Sequence, residues 1–326
     1  MSLSLCVVGC GQFARTFAQA MQYLGDDIRL FFASREPQRA ADYADAFNGI
    51  GSFGSYQAAA ADPRVEAMYL CTPHHLHQEH AAMAAAAGKH ILVEKPIART
   101  LEEAHAIIQA AGNAGVTLMV AENYRFMATV RRAKKLIESG AIGDLRLVQL
   151  QEEALFQPDQ WRNNRELNGG GILIDGGIHK VDILLYLSGR PEQVYAAPLT
   201  PGPASMDAED GLIVVTRSKE GVVGLINHSW AAVPGQSSNW VSVSGTLGRI
   251  SFELGKTRLK IEDASSQRTI RVTGDRFGLV SMVREFRDSI GEVRQPEVSG
   301  AAGLDDLAVV LKAYESMETG QPVTLD

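Results

Sequence analysis

Several features that this 326-residue sequence lacks already narrow what the protein can do. Its three cysteines have no zinc-ligand spacing, so neither a zinc site nor a disulfide framework is predicted, and a reducing compartment fits. No stretch reaches the roughly 18 apolar residues of a membrane span, and the first residues carry no basic signal-peptide region. No Lys/Arg block stands out against the net charge of -7, which excludes an electrostatic footprint for nucleic acid or anionic lipid. We therefore expect a cytoplasmic protein whose partner is a small neutral or anionic metabolite.

The composition and the order of apolar patterns predict a two-domain α/β protein. With 45% hydrophobic and 21% charged residues, the chain has the length and composition to bury the cores of about two domains. From residue 1 to about 122, short apolar runs alternate with helical patterns, which is typical of a doubly wound parallel sheet covered on both faces. The predicted strands span 3–8, 28–33, 67–71, 90–93 and 117–121, and the predicted helices between them span 13–24, 37–47, 74–87 and 100–114.

Beyond Tyr124 the pattern changes to that of a second domain. A helix near 129–139, a strand near 145–151 and an apolar helix over about 172–187 precede several closely spaced strand-like runs. Gly, Ser and Asp turns separate these runs, so we expect an open, mostly antiparallel sheet. Two closing helices, near 279–290 and 301–319, end the chain. The predicted domains are therefore residues 1–122 and residues 123–326, with a closing helix able to pack back on the first domain.

A glycine turn follows the first predicted strand. Gly9, Gly11 and Ala14 form the pattern G-x-G-x-x-A between a hydrophobic strand and an amphipathic helix, the context that a dinucleotide fingerprint requires. The first glycine permits the tight turn and the second lets the backbone approach a pyrophosphate. Gln12 and Phe13 open the helix whose amide N–H groups would hold the phosphates. The alternative is a glycine-rich turn without a ligand.

The end of the second predicted strand bears on the choice between NAD and NADP. A carboxylate normally stands there and binds the ribose hydroxyls of NAD. This chain has Ser34 and Arg35 instead, and a hydroxyl followed by a guanidinium can bind a 2′-phosphate. We therefore favour NADP over NAD. Two alternatives remain, because Glu36 could pair with Arg35 or reach the ribose, and Arg35 could be a surface arginine only.

The triplet Glu94-Lys95-Pro96 ends the strand predicted at 90–93. Open α/β sheets bind their ligands outside the carboxyl ends of their strands, which is where this triplet falls. Pro96 can fix a tight turn, cis or trans, that directs Lys95. A lysine near a substrate hydroxyl can donate a hydrogen bond and stabilise developing negative charge on that oxygen. An exposed Glu-Lys pair before a proline turn is the alternative.

Asp175, His179 and Asp182 lie at i, i+4 and i+7 in the apolar helix predicted at 172–187. On a regular helix they share one face, and three ionisable groups there are costly to bury unless they pair. A carboxylate one turn from a histidine can orient its ring and suit it to general acid/base catalysis near neutral pH. The alternatives are a capping Asp with a core histidine, and, ranked lower, a metal site that lacks a second nearby histidine.

A cluster of histidines follows the strand predicted at 67–71. The first three of its four histidines do not share a helical face, which argues against metal binding. The loop after this strand should instead cover the nicotinamide side of a dinucleotide. We therefore interpret Thr72, Pro73 and His77 as cofactor-loop residues and His80 as part of a helix.

Taken in order, these stretches resemble the Gfo/Idh/MocA oxidoreductase family, which includes glucose-fructose oxidoreductase and inositol dehydrogenase. The resemblance extends over essentially the whole chain, and the lysine triplet combined with D-x-G-x-H-x-x-D is rather specific. The matching stretches are 7–14, Thr72-Pro73 with His77, 87–90 leading to Glu94-Lys95-Pro96, 122–126, Trp161-Arg162, 169–182, 227–230, 245–248 and 314–320.

The resemblance implies an N-terminal Rossmann domain, a C-terminal α/β domain with an open sheet, and a substrate site between them. It implies that Lys95 and His179 contact the reacting hydroxyl or carbonyl and that Asp175 assists. Glu94 joins Lys95 among the cofactor-binding positions. The resemblance also implies a homodimer or homotetramer formed through the open sheet.

The resemblance also implies a substrate pocket for a sugar, cyclitol or related polyol. Trp161 could pack on the apolar face of a sugar ring, while Arg125 and Arg162 could bind hydroxyls or a carboxylate. Asp182 completes the predicted substrate-binding set. Ser34 departs from the acidic residue that is frequent in the family, which puts a preference for NAD in doubt.

Three functions are consistent with these residues. The first is hydride transfer between NADP(H) and a carbon bearing a hydroxyl or ketone. The second is an NAD-dependent glycosidase of the same superfamily, against which Ser34 and Arg35 argue. The third is a non-catalytic cofactor-sensing regulator, against which the presence of Lys95, Asp175 and His179 argues.

Overall fold

The computed structural model describes residues 2–158, 160–202, 206–231 and 238–325, and these form two compact units. The first unit comprises Met1–Glu122 with Leu279–Leu304, and the second comprises Asn123–Gly278 with Asp305–Asp326. The chain returns to the first sheet after residue 278, where the Val120 N–H donates to the Val298 carbonyl at 2.9 Å. Residues 279–304, placed by the sequence in the second domain, thus group with the first unit.

The first unit contains a six-stranded parallel sheet in the order β3-β2-β1-β4-β5-β6. All six residues of β1 and all four of β4 are buried, as expected of strands covered on both faces. The doubly wound parallel sheet predicted from the sequence is confirmed. Its strands are β1 Leu3–Val8, β2 Ile28–Ala33, β3 Gly51–Phe53, β4 Ala67–Leu70, β5 His90–Val93 and β6 Leu118–Val120.

The second unit contains a nine-stranded sheet in the order β14-β13-β12-β11-β7-β10-β9-β8-β15. Among the described strands of this sheet, only β7 and β10 pair in parallel, so the predicted open, mostly antiparallel sheet is confirmed. Its strands are β7 Leu145–Glu153, β8 Gln193–Pro198, β9 Gly211–Arg217, β10 Val223–Ser229, β11 Ser238–Gly245, β12 Gly248–Glu253, β13 Arg258–Asp263, β14 Gln267–Arg271 and β15 Val323–Thr324.

The longer helices follow the predicted pattern, to which the structure adds short turns and helices. The α-helices are α1 Gln12–Met21, α2 Pro37–Ala46, α3 Tyr56–Ala61, α4 His77–Ala86, α5 Leu101–Ala114, α6 Ala128–Glu138, α7 Arg165–Asn168, α8 Ile178–Ser188, α9 Leu279–Gly291 and α10 Gly300–Thr319. A 3-10 turn, His74–Leu76, precedes α4, and a π-helical turn, Leu173–Gly177, precedes α8. The described part of the chain contains no helix long and apolar enough to span a bilayer.

The sequence missed β3, α3, α7, β8 and β15, of which α7 has only four residues. Both β3 and β15 are too short for an alternating pattern, with three and two residues. The six residues of α3 include four alanines, which leave little hydrophobic contrast between its faces. In β8 the pattern does alternate between buried and exposed positions, but Pro198 at its end weakens the strand signal.

Candidate functional site

The glycine turn after β1 provides a backbone cradle. Gly9 has a φ of 99°, and a Cβ there would lie 2.7 Å from the Cys71 carbonyl oxygen. This position therefore requires glycine, because the turn packs directly against the backbone that follows β4. A Cβ on Gly11 would meet nothing within 4 Å, so the backbone there is open to an approaching group.

The N-terminus of α1 opens from the same turn. Gly11 is the N-cap residue and no side chain caps the helix, in a stretch that the structure describes throughout. The first N–H groups of α1 therefore remain available to an anion such as a pyrophosphate. Gln12 and Phe13 are exposed at this end of the helix. The cradle fits the dinucleotide that the fingerprint predicts.

At the end of β2, the polar groups have defined partners. The Ser34 hydroxyl oxygen accepts a hydrogen bond from the Glu36 N–H at 3.1 Å, so its own O–H can still donate. The Glu36 carboxylate pairs with Arg39 at 3.0 Å, a partner that the sequence analysis, which considered Arg35 and the ribose, did not name. Burial raises the pKa of Tyr56, and the charge and hydrogen bond of Arg35 oppose that shift.

His77 connects two predicted cofactor segments inside the first unit. Its Nε2 lies 2.9 Å from the Thr72 carbonyl oxygen, and its Nδ1 lies 2.9 Å from that of Pro96. Burial lowers the pKa of His77 to about 4, so the ring is neutral at pH 7 and donates to one of the two carbonyls. His77 therefore holds the loop after β4 beside the turn after β5. Thr72 also contacts His80, with Oγ1 3.0 Å from Nδ1.

The Glu94-Lys95-Pro96 turn follows β5, and its Lys95–Pro96 peptide bond is cis. Glu94 is buried and accepts a hydrogen bond from the Tyr69 hydroxyl, whereas Lys95 is partly exposed. Burial raises the pKa of Tyr69, so its phenol retains the proton that it donates. The sequence analysis missed Tyr69. Its signal was a phenol within a strand of four buried residues, since a buried tyrosine needs a hydrogen-bond partner.

Asp175 lies in the π-helical turn rather than in the regular helix that the sequence predicted. A Cβ on Gly176 would lie 2.8 Å from Cζ2 of Trp230 and 3.0 Å from Nε2 of His228. Glycine therefore allows this turn to pack closely on the end of β10. His179 and Asp182 lie in α8, so only these two of the three predicted residues belong to the regular α-helix that the sequence predicted.

Arg162 brings Asp175 and Trp161 together. Its Nε donates to Oδ2 of Asp175 at 3.0 Å, and its guanidinium lies 4.5 Å from the centroid of the Trp161 ring. Asp175 is buried, so this cation compensates a charge that would be costly alone. Three residues predicted from two separate stretches thus form one contact cluster.

Arg125 and Asp182 form a second buried pair. Nε of Arg125 lies 3.2 Å from Oδ2 of Asp182, and its Nη2 contacts the other carboxylate oxygen. The side chain of Asp182 is completely buried, so its carboxylate faces Arg125 rather than solvent. The sequence predicted both as substrate contacts and did not predict this pairing.

His179 stacks on Tyr124. The ring centroids are 4.1 Å apart and the planes differ by 6°, which fixes the orientation of the imidazole. The sequence analysis did not select Tyr124, although it adjoins Arg125, which it did select. An aromatic residue in a short polar turn was the available signal.

Tyr314 anchors the glycine-rich segment that leads to Asp175. Its hydroxyl accepts hydrogen bonds from the N–H groups of Gly171 and Ile174, both at 3.1 Å, and donates to Oε1 of Glu209 at 3.0 Å. Glu209 also accepts from the Leu173 N–H at 3.0 Å. Burial raises the pKa values of both Glu209 and Tyr314. No local pattern could reveal this contact, because 143 residues separate Tyr314 from Gly171.

Across the described residues, no group of three or more His, Cys, Asp or Glu side chains is arranged to hold a metal ion.

Comparisons with known proteins identify the family. Residues 3–122 match the model described as "Oxidoreductase family, NAD-binding Rossmann fold", and residues 130–251 match the GFO/IDH/MocA C-terminal domain. Levoglucosan dehydrogenase of Pseudarthrobacter phenanthrenivorans is 32% identical over 268 residues, which are 74% of this chain and 69% of that protein. 1,5-Anhydro-D-fructose reductase of Ensifer adhaerens is 28% identical over 333 residues, which are 98% of each chain.

Solved structures show the same fold. Levoglucosan dehydrogenase in complex with NADH and levoglucosan superposes with a TM-score of 0.90 at 27% identity, covering 99% of each chain. The aldose-aldose oxidoreductase of Caulobacter crescentus, complexed with glycerol, gives a TM-score of 0.92 at 26% identity, covering 100% of each chain. The resemblance stated from the sequence is confirmed. The chain belongs to the Gfo/Idh/MocA family and is an oxidoreductase with an NAD-binding Rossmann domain.

Proposed function

We propose that this protein transfers a hydride between NADP(H) and a carbon that bears a hydroxyl or ketone on a sugar, cyclitol or related polyol. The observation that carries the proposal is the cluster in which Arg162 binds Asp175 and stacks on Trp161, close in sequence to His179. It combines an indole surface, a cation and a candidate acid/base. The relatives named above support the substrate class, because their names refer to sugar derivatives.

In this proposal, the nicotinamide supplies the hydride acceptor or donor when it is bound. During oxidation the His179 imidazole takes the proton of the hydroxyl, and during reduction it returns that proton to the carbonyl oxygen. Lys95 donates a hydrogen bond to the same oxygen and stabilises its developing negative charge. Asp175, fixed by Arg162, stabilises the positive charge that His179 acquires.

The proposed substrate contacts come from the partly exposed side chains of the first cluster and from the Arg125–Asp182 pair. Trp161 packs on the apolar face of the ring, and the partly exposed Arg162 guanidinium binds hydroxyls or a carboxylate of the substrate. Arg125 contributes through its pair with Asp182, whose carboxylate orients the guanidinium.

The decisive test is a screen of sugars, polyols and keto-sugars followed by NADPH absorbance. At least one compound should be turned over only when cofactor is added, and a Trp161→Ala variant should show a raised KM for it. Cleavage of glycosides without added nucleotide would replace the proposal with the glycosidase alternative. Cofactor binding without turnover of any compound would favour the regulator.

We further propose that the protein prefers NADP. Ser34 keeps a hydroxyl donor, Glu36 is paired with Arg39, and no carboxylate follows β2 directly. The Gly11 backbone and the N-terminus of α1 would hold the pyrophosphate, and Thr72, Pro73, His77 and Glu94 would shape the nicotinamide side.

Fluorescence titration should show tighter binding of NADPH than of NADH, and Arg35→Ala should remove most of that difference by weakening NADPH alone. A guanidinium hydrogen-bonded to a phosphate contributes about 1.5–3 kcal/mol, or roughly tenfold to 150-fold in Kd. Arg64→Ala is the matched control. This exposed arginine precedes β4 and so lies near the amino ends of the parallel strands, whereas Arg35 follows the carboxyl end of β2. Equal affinities for the two nucleotides in the parent protein would contradict the preference.

We also propose a homodimer or homotetramer formed through the open face of the second sheet. Tyr195 on β8 and Ile213 on β9 are more than a third exposed although they belong to adjacent strands of a packed sheet. Exposed apolar residues on neighbouring strands are typical of a face covered by another subunit. Sedimentation velocity would distinguish a dimer or tetramer from a 35.2 kDa monomer.

A further inference from the structure

The residue after His179 is a buried lysine to which the proposed function assigns no role. The Lys180 side chain is 1% exposed and pairs with the Glu152 carboxylate on β7. Its Nζ also lies 3.5 Å from the Gly176 carbonyl oxygen. Burying an ammonium is costly, so Glu152 is the counter-ion that makes this position tolerable.

Lys180 and His179 share one aromatic neighbour. The Lys180 Nζ lies 5.1 Å from the centroid of the Tyr124 ring, and the His179 ring stacks on the same phenol at 4.1 Å. Both side chains are buried, so a charge on either group is weakly screened by solvent.

Three opposing effects act on the protonation of His179. The electron-rich face of Tyr124 favours the imidazolium over the neutral ring, since it attracts a cation. The Lys180 ammonium disfavours the imidazolium, because it places a second positive charge nearby. The Glu152 carboxylate offsets the Lys180 charge.

We propose that Tyr124 is a positioning residue for His179 and that the Lys180–Glu152 pair sets the pH at which His179 takes up its proton. This inference rests on the proposed function, in which His179 is the general acid/base. Tyr124 fixes the ring plane, while the pair places a positive charge and its counter-ion beside the same phenol.

Other charged groups of the second unit surround the same helix. Asp175 and Asp182 belong to the same helical segment, Arg162 and Arg125 come from two 3-10 turns, and His228 comes from β10. The Arg162–Asp175 and Arg125–Asp182 pairs are each balanced in charge. His228 Nδ1 lies 3.8 Å from Oε2 of Glu152, so the charged groups that His228 faces are those of the Lys180–Glu152 pair.

The test measures the titration of His179 directly by NMR in cofactor-free protein labelled at histidine ring carbons. The His179 signal is assigned by its loss in His179→Asn. Lys180→Met should raise the midpoint by about one pH unit, because it removes a neighbouring positive charge and leaves Glu152. The double variant Lys180→Met/Glu152→Gln should return the midpoint to near the parent value, because both charges are then gone.

A second pair of variants tests Tyr124 and leaves the Lys180 and Glu152 side chains in place. Tyr124→Leu should lower the His179 midpoint and reduce kcat roughly tenfold while the KM for NADPH stays constant, since it removes the stacking surface. Tyr124→Phe keeps the ring and should restore both the midpoint and most of kcat.

A Lys180→Met midpoint equal to or below that of the parent would overturn the electrostatic part. If the His179 midpoint and kcat of Tyr124→Leu both equal those of the parent protein, the role of Tyr124 is overturned. This test does not depend on whether the two lysine variants fold. Because NMR titration needs no turnover, these results are separate from a failure of the proposed function, which would appear only as absence of activity in the substrate screen.

Discussion

Alanine at His179 or Lys95 is expected to lower kcat by about 10²–10⁴-fold, which is the usual contribution of a positioned acid/base group. In the proposed reaction the hydroxyl loses its proton as the hydride leaves carbon, so removal of the proton acceptor leaves that charge on oxygen. Lys95→Ala removes the hydrogen bond that stabilises the same oxygen. Both effects act on the reacting atoms rather than on the phosphate cradle.

The Kd of NADPH should therefore change little in either variant, because the cradle at Gly9 and Gly11 and the N-terminus of α1 remain intact. Steady-state turnover on the best compound of the screen, together with nucleotide titration, measures the two quantities separately. His105→Ala and Lys219→Ala are matched controls, since both side chains are exposed and lie outside the candidate site. Near-parental turnover in both His179→Ala and Lys95→Ala would remove these residues from the chemistry.

Much of the fold could be predicted because its signals are local. A continuous apolar strand such as β1 and the glycine turn after it occupy consecutive positions, so periodicity and turn chemistry suffice to recognise them. The same holds for the alternation of strands and helices that defines a doubly wound sheet. By contrast, β15, β3 and α3 have only two, three and six residues. Each is shorter than two full repeats of the strand or helix pattern, so it gives no comparable signal.

The candidate site could be predicted only as separate motifs. Arg125 and Asp182 are 57 residues apart, and neither sequence neighbourhood indicates that each is the other's partner. Tyr314 reaches Gly171 only because α10 packs beside the glycine-rich segment. Such pairings depend on tertiary packing, which a single sequence does not encode in any fixed spacing.

The π-helical turn illustrates the same limit within a short segment. Counting 3.6 residues per turn placed Asp175 and His179 on one helical face, but that count assumes a regular α-helix. Contact between Gly176 and the side chains of Trp230 and His228, more than 50 residues away, accompanies a wider turn at this point. Asp175 in this turn accepts a hydrogen bond from Arg162, a contact that the spacing rule does not include.

The second large effect concerns stability. Asp182→Ala is expected to lower the free energy of unfolding of the second unit by about 3–5 kcal/mol, because it leaves the Arg125 guanidinium buried without its carboxylate. Asp182→Asn should cost less, since an amide oxygen can still accept one of the two hydrogen bonds. Replacing both partners, as Arg125→Met/Asp182→Leu, should recover a large part of the loss, because no buried charge then remains unpaired.

Urea unfolding followed by tryptophan fluorescence measures this effect in the relevant unit. All three tryptophans, Trp161, Trp230 and Trp240, belong to the second unit, so the signal reports its unfolding and not that of the Rossmann unit. Asp305→Ala is the matched control, since its pair with Arg190 is about half exposed and such pairs contribute about 0–1 kcal/mol. If Asp182→Ala unfolds at the same urea concentration as Asp305→Ala, the Arg125–Asp182 pair does not stabilise the unit. A double variant less stable than Asp182→Ala would show instead that the shapes of the two side chains, rather than their charges, determine the packing of α8.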